Sequence, residues 1–168
     1  TLIRAYKVAP GSRILISGNG PLNLQVAAEL IRNGVSVAAV IESSRPNNLR
    51  NFGALTNAVW KSPALILKGV SYLRTLKKAN VPVFYNHVLI RAEGVDNVEC
   101  GYVAALDNNG RSIPGSERKF EVDTICVGYG FIPNTELTRL LGCSHNYDRD
   151  SGALIVSRND DGSTSRAG

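Results

Sequence analysis

Methionine is missing from all 168 residues, and the chain opens on Thr1. A translated chain begins with methionine, so this one is expected to be a segment of a larger protein. The ending, TSRAG, brings no closing element and points the same way. Cysteine is scarce. Cys100, Cys126 and Cys143 stand far apart, without CxxC spacing, which argues against a disulfide framework and against a zinc site. A reducing, cytoplasmic compartment fits that usage. Long apolar runs are also missing. A stretch such as Val35 to Ile41 is far too short to span a bilayer, so no transmembrane segment is expected. The N-terminal TLIRAYKVAPGS carries no signal-peptide apolar region. Lys and Arg outnumber Asp and Glu by 19 to 14, but they do not gather with interleaved aromatics, so no nucleic-acid partner is expected.

What remains is ordinary for a globular domain: 43% hydrophobic and 20% charged residues. Arg13 to Ser17 is a short β-rich apolar run that reads as a buried parallel strand. It runs into Gly18-Asn19-Gly20, a tight turn, and then into PLNLQVAAELIRN, whose spacing is helical. In that helix Leu22, Val26 and Leu30 form one apolar row, Pro21 suits the first turn, and Gly34 suits the stop. Val35 to Ile41 is a second strand, ending at Glu42. Strand, turn, helix and strand make one βαβ unit. A second helix is expected over about 64–78, and a third strand at 82–85.

The period then changes. From Val98 to Asp107, Val98, Cys100, Tyr102, Ala104 and Leu106 form an alternating apolar face. Asn109-Gly110 is a hairpin signal, and Val88 to Ala92 and Lys119 to Val122 can pair alongside. Thr124 to Val127 returns to a parallel-type strand, Asn134 is a candidate cap for TELTRLL, and Ala153 to Val156 is a last short strand. The predicted fold class is α/β: a Rossmann-like parallel sheet with helices on both faces and an inserted antiparallel β meander.

The spacing Gly18-x-Gly20-x-x-Asn23, with Glu42 closing the next strand, is the layout of a dinucleotide-binding turn. The first glycine permits the turn, and the second lets the backbone approach a pyrophosphate. The helix N-terminus presents free N–H groups and the positive end of its dipole. Glu42 can accept two hydrogen bonds from an adenosine ribose and would repel a 2′-phosphate, which favours NAD(H) or ADP over NADP(H). Arg45 either contacts a phosphate or pairs with Glu42 or another acid. The candidate cofactor-binding residues are Gly18, Asn19, Gly20, Pro21, Leu22, Asn23, Glu42, Arg45 and, at the end of the neighbouring strand, Gly128. No metal ligand and no catalytic residue is assigned. His87 and His145 are isolated and read as surface or loop residues.

The blocks GNGPLNLQVAAEL at 18–30 and VDTICVGYGFIPNTELTRLLGC at 122–143 resemble the FAD/NAD(P)-dependent pyridine nucleotide-disulfide oxidoreductase superfamily. Within it they are most similar to the group formed by opine (octopine/nopaline) oxidase and hydrogen cyanide synthase subunits. The resemblance implies that residues 1–133 are an NAD-type Rossmann domain and that 134–168 begin the segment returning to an FAD domain. It implies a parent enzyme that is an FAD-dependent oxidoreductase acting on an opine- or amino-acid-type C–N bond. FAD would be held by the missing FAD-domain halves, not by this segment, and other subunits of a hetero-oligomeric oxidase would be partners. The alternative is a vestigial or structural adenine-nucleotide or subunit-interaction domain without hydride transfer. The chain departs from many members in three ways. Gln25 stands where they carry Glu, Gly130-Phe131-Ile132-Pro133-Asn134 lacks their arginine, and no redox cysteine pair is present. Phe131 and Ile132 are expected to be exposed, as surface made to face the FAD domain.

Overall fold

Strand β1, Arg13–Gly18, is buried on both sides because each of its apolar residues serves a different layer. Ile14 and Ile16 belong to one core cluster and Leu15 to another. Beside β1 run β2 (Ser36–Glu42), β3 (Val83–Tyr85) and, across a long excursion, the strand at Thr124–Gly128. The excursion forms β4 (His87–Glu93), β5 (Cys100–Ala105) and β6 (Arg118–Glu121), so the strand that returns is β7. The four-stranded sheet is parallel, in the order β3-β2-β1-β7, and β4-β5-β6 is an antiparallel sheet of its own. This computed structural model describes residues 5–6, 8–44, 63–149 and 151–166. It divides into two compact units, Thr1–Gly130 and Phe131–Gly168.

Helix α1 spans Pro21–Arg32 and helix α2 Pro63–Lys78. Both pack on the same face of the parallel sheet. Ala27, Ala28 and Leu30 of α1 and Leu76 of α2 join Ile14, Ile16, Val37 and Val40. The other face is covered by the meander, through Val103 against Leu15, Ala39 and Ile41. The expectation of helices on both faces is therefore corrected for the described residues: helices take one face and the antiparallel sheet the other. The physical reason lies in β5. Its contact face is Gly101 and Val103, not the predicted Cys100–Tyr102–Ala104 face, because a glycine lets the two sheets approach. A Cβ at Gly101 would lie 2.9 Å from Leu15 and 3.1 Å from Ile125.

The row expected on α1 holds in part: Leu30 is buried and Val26 packs against the core, but Leu22 departs from it. Asn23, Ala27, Ala28 and Leu30 are buried, while Leu22 stands half exposed in the first turn. Two alanines on the buried side let the helix sit close to the strands. The helix ends as its sequence implies: Gly34 N–H donates to Ile31 O and Val35 N–H to Leu30 O, the paired bonds of a Schellman stop. Helix α2 stops the same way at Asn80, which takes φ 55°.

The second unit holds α3 (Glu136–Leu140) and the hairpin β8 (His145–Asp148) with β9 (Ala153–Val156). Thr135 is the cap residue of α3, but Asn134 still accepts the Glu136 N–H through Oδ1 at 3.0 Å. Strand β8 was not expected, because HNYD is polar and shows no apolar face. No helix among the described residues is long and apolar enough to cross a membrane.

Candidate functional site

The parallel register sets three residues at one level. Gly18 is paired with Glu42 on one side and with Gly128 on the other, all at the C-terminal ends of their strands. Open α/β sheets bind ligands at this edge. The turn from β1 into α1 begins here, so Gly18, Asn19, Gly20, Pro21, Leu22, Asn23, Glu42 and Gly128 stand at one edge of the sheet. Arg45 lies outside the described residues.

Each glycine is required for a different reason. Gly20 has φ 99°, a conformation that side-chain-bearing residues rarely adopt, and open space where a Cβ would stand. The turn is thus open to approach from outside. Gly18 and Gly128 are required by crowding. A Cβ on Gly18 would collide with the Gly128 carbonyl, and one on Gly128 would collide with Asn23 Oδ1.

Asn23, in the third position of the motif, is buried and hydrogen-bonded. Its Nδ2 donates to Gly128 O at 3.0 Å, and Asn19 N–H donates to the same carbonyl at 2.9 Å. The side chain therefore replaces close helix–strand packing with a direct tie between α1 and β7.

Glu42 is 4% exposed, and its carboxylate points back across the turn. Gly20 N–H donates to Oε2 at 2.9 Å and to Oε1 at 3.1 Å, and Ser44 N–H donates to Oε1 at 3.2 Å. Helix α1 has no capping side chain at Gly20 and no acid in its first turn. Glu42 supplies the negative charge there from the neighbouring strand, where the helix dipole favours it.

Two residues of this edge were missed by the motif reading. Ser17 is fully buried, and its hydroxyl lies 2.9 Å from that of Tyr129, just beyond β7. Tyr129 remains half exposed beside exposed Val127. A serine before the turn and a tyrosine after Gly128 were visible in the sequence, but nothing in their spacing linked them. Beneath the edge, burial pushes the Cys126 thiol up, which disfavours thiolate chemistry. The three cysteines are free. Among the described residues no group of three or more His, Cys, Asp or Glu gathers closely enough to hold a metal ion.

His87 and His145 are partly buried and locally bonded. His87 Nδ1 lies 2.7 Å from Tyr85 O, and His145 Nε2 lies 2.8 Å from the Thr138 hydroxyl. Phe131 and Ile132 are each 86% exposed, in line with expectation.

The arrangement, a parallel sheet with a glycine turn at its carboxyl edge and a meander on one face, is a mixed α/β fold of the Rossmann type. Solved structures share it: the thioredoxin reductase of T. acidophilum superposes with a TM-score of 0.58 at 18% identity, over 92% of this chain and 41% of that one. Among curated proteins, the chain is similar to the hydrogen cyanide synthase subunit HcnB of Pseudomonas protegens, with 33% identity over 157 residues, 94% of this chain. It is also similar to an opine oxidase subunit from Rhizobium meliloti, with 26% identity over 91% of this chain. The chain spans about a third of the length of these relatives, 33% and 32% respectively. No family model matches it. The chain is thus similar over most of its length to a hydrogen cyanide synthase subunit and an opine oxidase subunit, and it shares its fold with the thioredoxin reductase.

Proposed function

We propose that this chain is the nucleotide-binding domain of an FAD-dependent oxidoreductase that oxidises an opine- or amino-acid-type C–N bond. One observation carries the nucleotide part: Gly18, Glu42 and Gly128 stand level on three adjacent parallel strand ends, at the N-terminus of α1. An adenine dinucleotide, NAD(H) in preference to NADP(H), would lie across Gly18–Leu22, with its ribose toward Glu42 and its nicotinamide half toward Gly128. The open space at Gly20 fits a ligand approaching the backbone.

The C–N part rests on the relatives, whose names describe subunits of a hydrogen cyanide synthase and of an opine oxidase. Residues 134–168 are read as the start of the return to an FAD domain, close to the division after Gly130. Other subunits of a cytoplasmic hetero-oligomeric oxidase are the proposed partners. FAD, when bound in the parent enzyme, would supply the hydride-accepting chemistry. No residue of this chain is assigned to that step.

Calorimetric titration of the full chain with NADH, NADPH and ADP tests the nucleotide part. NADH is expected to bind more tightly than NADPH, and the reverse order would remove Glu42 from the ribose role. For the reaction, anaerobic addition of an opine or an amino acid to the holoenzyme should bleach its flavin absorbance. A flavin untouched by both classes would overturn the substrate assignment.

A further inference from the structure

A phosphate-binding turn works by offering unpaired backbone N–H groups. In this turn most of the donors are already committed. Asn19 N–H goes to Gly128 O, and Gly20 N–H goes to both oxygens of Glu42. Residue 21 is proline and has no N–H to give. Asn23 N–H points back to Gly20 O at 3.3 Å. Leu22 N–H, at the second helical position, is the first-turn donor that helix geometry leaves over. The group seated at the helix N-terminus is itself an anion, held by two backbone N–H groups and shielded from water.

We propose that Glu42 is an internal latch on the nucleotide turn: its carboxylate occupies the anion position at Gly20, and it must leave that N–H before a pyrophosphate group can take its place. The inference rests on the nucleotide-binding reading above and adds a regulatory contact to that site. Opening replaces one anion by another at the same donor. Swinging outward also brings the carboxylate toward the ribose, so release of the latch and ribose recognition are two positions of one side chain. A ligand with phosphates but no ribose pays for opening without that return.

Pyrophosphate, which has no ribose, is therefore the probe. It is titrated into the full chain with Glu42 unchanged, with Glu42→Gln and with Glu42→Ala, alongside NADH. Glutamine removes the charge but keeps an oxygen that can still accept from Gly20 N–H, whereas alanine removes both. The latch predicts a graded gain in pyrophosphate affinity, with Glu42→Ala about tenfold or more above the unsubstituted chain and Glu42→Gln between them. Equal gains for the two variants would reduce the effect to charge repulsion and overturn the latch, as would no gain in either. NADH binding without the graded gain keeps the nucleotide reading and ends the latch. The graded gain with no NADH binding to any of the three keeps the anion contact and ends the dinucleotide reading. Should Glu42→Ala fail to fold, the amide resonances of the unsubstituted chain decide. Under the latch the Gly20 N–H signal moves when pyrophosphate is added. A Gly20 signal that stays in place while Leu22 moves would overturn it.

Discussion

The two units of this chain hold themselves together by different means. In the first, β1 lies between two apolar clusters, and Ile14, Leu15, Ile16, Leu30, Val40, Ile41 and Val103 are almost completely buried. In the second, Ala153 is the buried apolar residue among those described, while Phe131, Ile132, Leu137, Leu140 and Leu141 stand open to solvent. Its order comes from polar turns instead. Asp161 and Ser163, Asp148 and Ser151, and Asn159 and Ser163 close short loops, and Gly142 and Cys143 close α3 by a Schellman pair. A hydrogen bond contributes about 0.5–1.5 kcal/mol net, more where the acceptor is a carboxylate, but bonds between near neighbours in the chain form in the unfolded state too, whereas burying one large apolar side chain contributes about 1.5–3 kcal/mol. A unit shorter than about 40 residues rarely builds a sufficient core alone. The difference teaches that the first unit contains its own driving force for folding, whereas the second presents apolar surface that its own residues do not cover.

Core truncation should expose that contrast most strongly. Ile16→Ala is expected to lower the stability of the full chain by about 2–5 kcal/mol in chemical denaturation. Leu140→Ala, at a residue 84% exposed, should change it by no more than about 0.5 kcal/mol. Comparable losses at both sites would break the comparison by showing that Leu140 packs in solution.

The next effect lies at the carboxyl edge of the first unit. Gly128→Ala should cost about 1–3 kcal/mol, because the added methyl meets Asn23. The side chain of Asn23 accounts for each of the nearest atoms, so Asn23→Ala should recover most of the loss in a double-mutant cycle. Gly18→Ala meets the Gly128 carbonyl as well as Asn23 and should not be recovered by the same change. A Gly18→Ala defect that Asn23→Ala repairs would show that the strand ends can part, and that the edge is softer than its hydrogen bonds suggest.

The first unit was largely legible in the sequence because its signals are periodic. Apolar runs mark β1, β2 and β7, and Asn109-Gly110 marks the return of the meander. The layer assignment was not legible. Nothing in the spacing of 98–107 says that Gly101, rather than the apolar Cys100–Tyr102 face, meets the parallel sheet, because close approach of two sheets favours the residue with no side chain. The site was legible as a set of positions, Gly18, Gly20, Glu42 and Gly128, but not as a set of bonds. That Glu42 turns inward to Gly20 N–H is a tertiary contact between the end of β2 and the turn, which the motif does not encode. In the second unit β8 escaped notice because its pairing with β9 buries little, so no alternation was imposed on its residues.

The smallest expected effect returns to both units through two aspartates held below the ordinary carboxylate range. Asp123 is lowered chiefly by the backbone N–H of Arg13, then by that of Ser12, at 3.0 and 2.7 Å. Asp161 is lowered by the hydroxyl of Ser163, then by its N–H. For a depressed carboxyl, the added stability is present above the unfolded value of about 3.9 and is lost as pH falls through the folded value. The two groups differ in what their bonds span. Asp123 ties the start of β1 to the start of β7, more than a hundred residues apart, so the contact vanishes on unfolding. Asp161 bonds a residue two positions away, a contact that an unfolded chain can also form. Asp123→Asn should therefore flatten the acid limb of the stability-versus-pH curve between about pH 4 and the folded value, and Asp161→Asn should leave it nearly unchanged. Denaturation midpoints measured across that range, with carboxyl carbon NMR titrations to locate the two groups, read both outcomes. If Asp161→Asn flattened the limb as much as Asp123→Asn, the polar turns of the second unit would be contributing to global stability, and the contrast between the units would have to be redrawn.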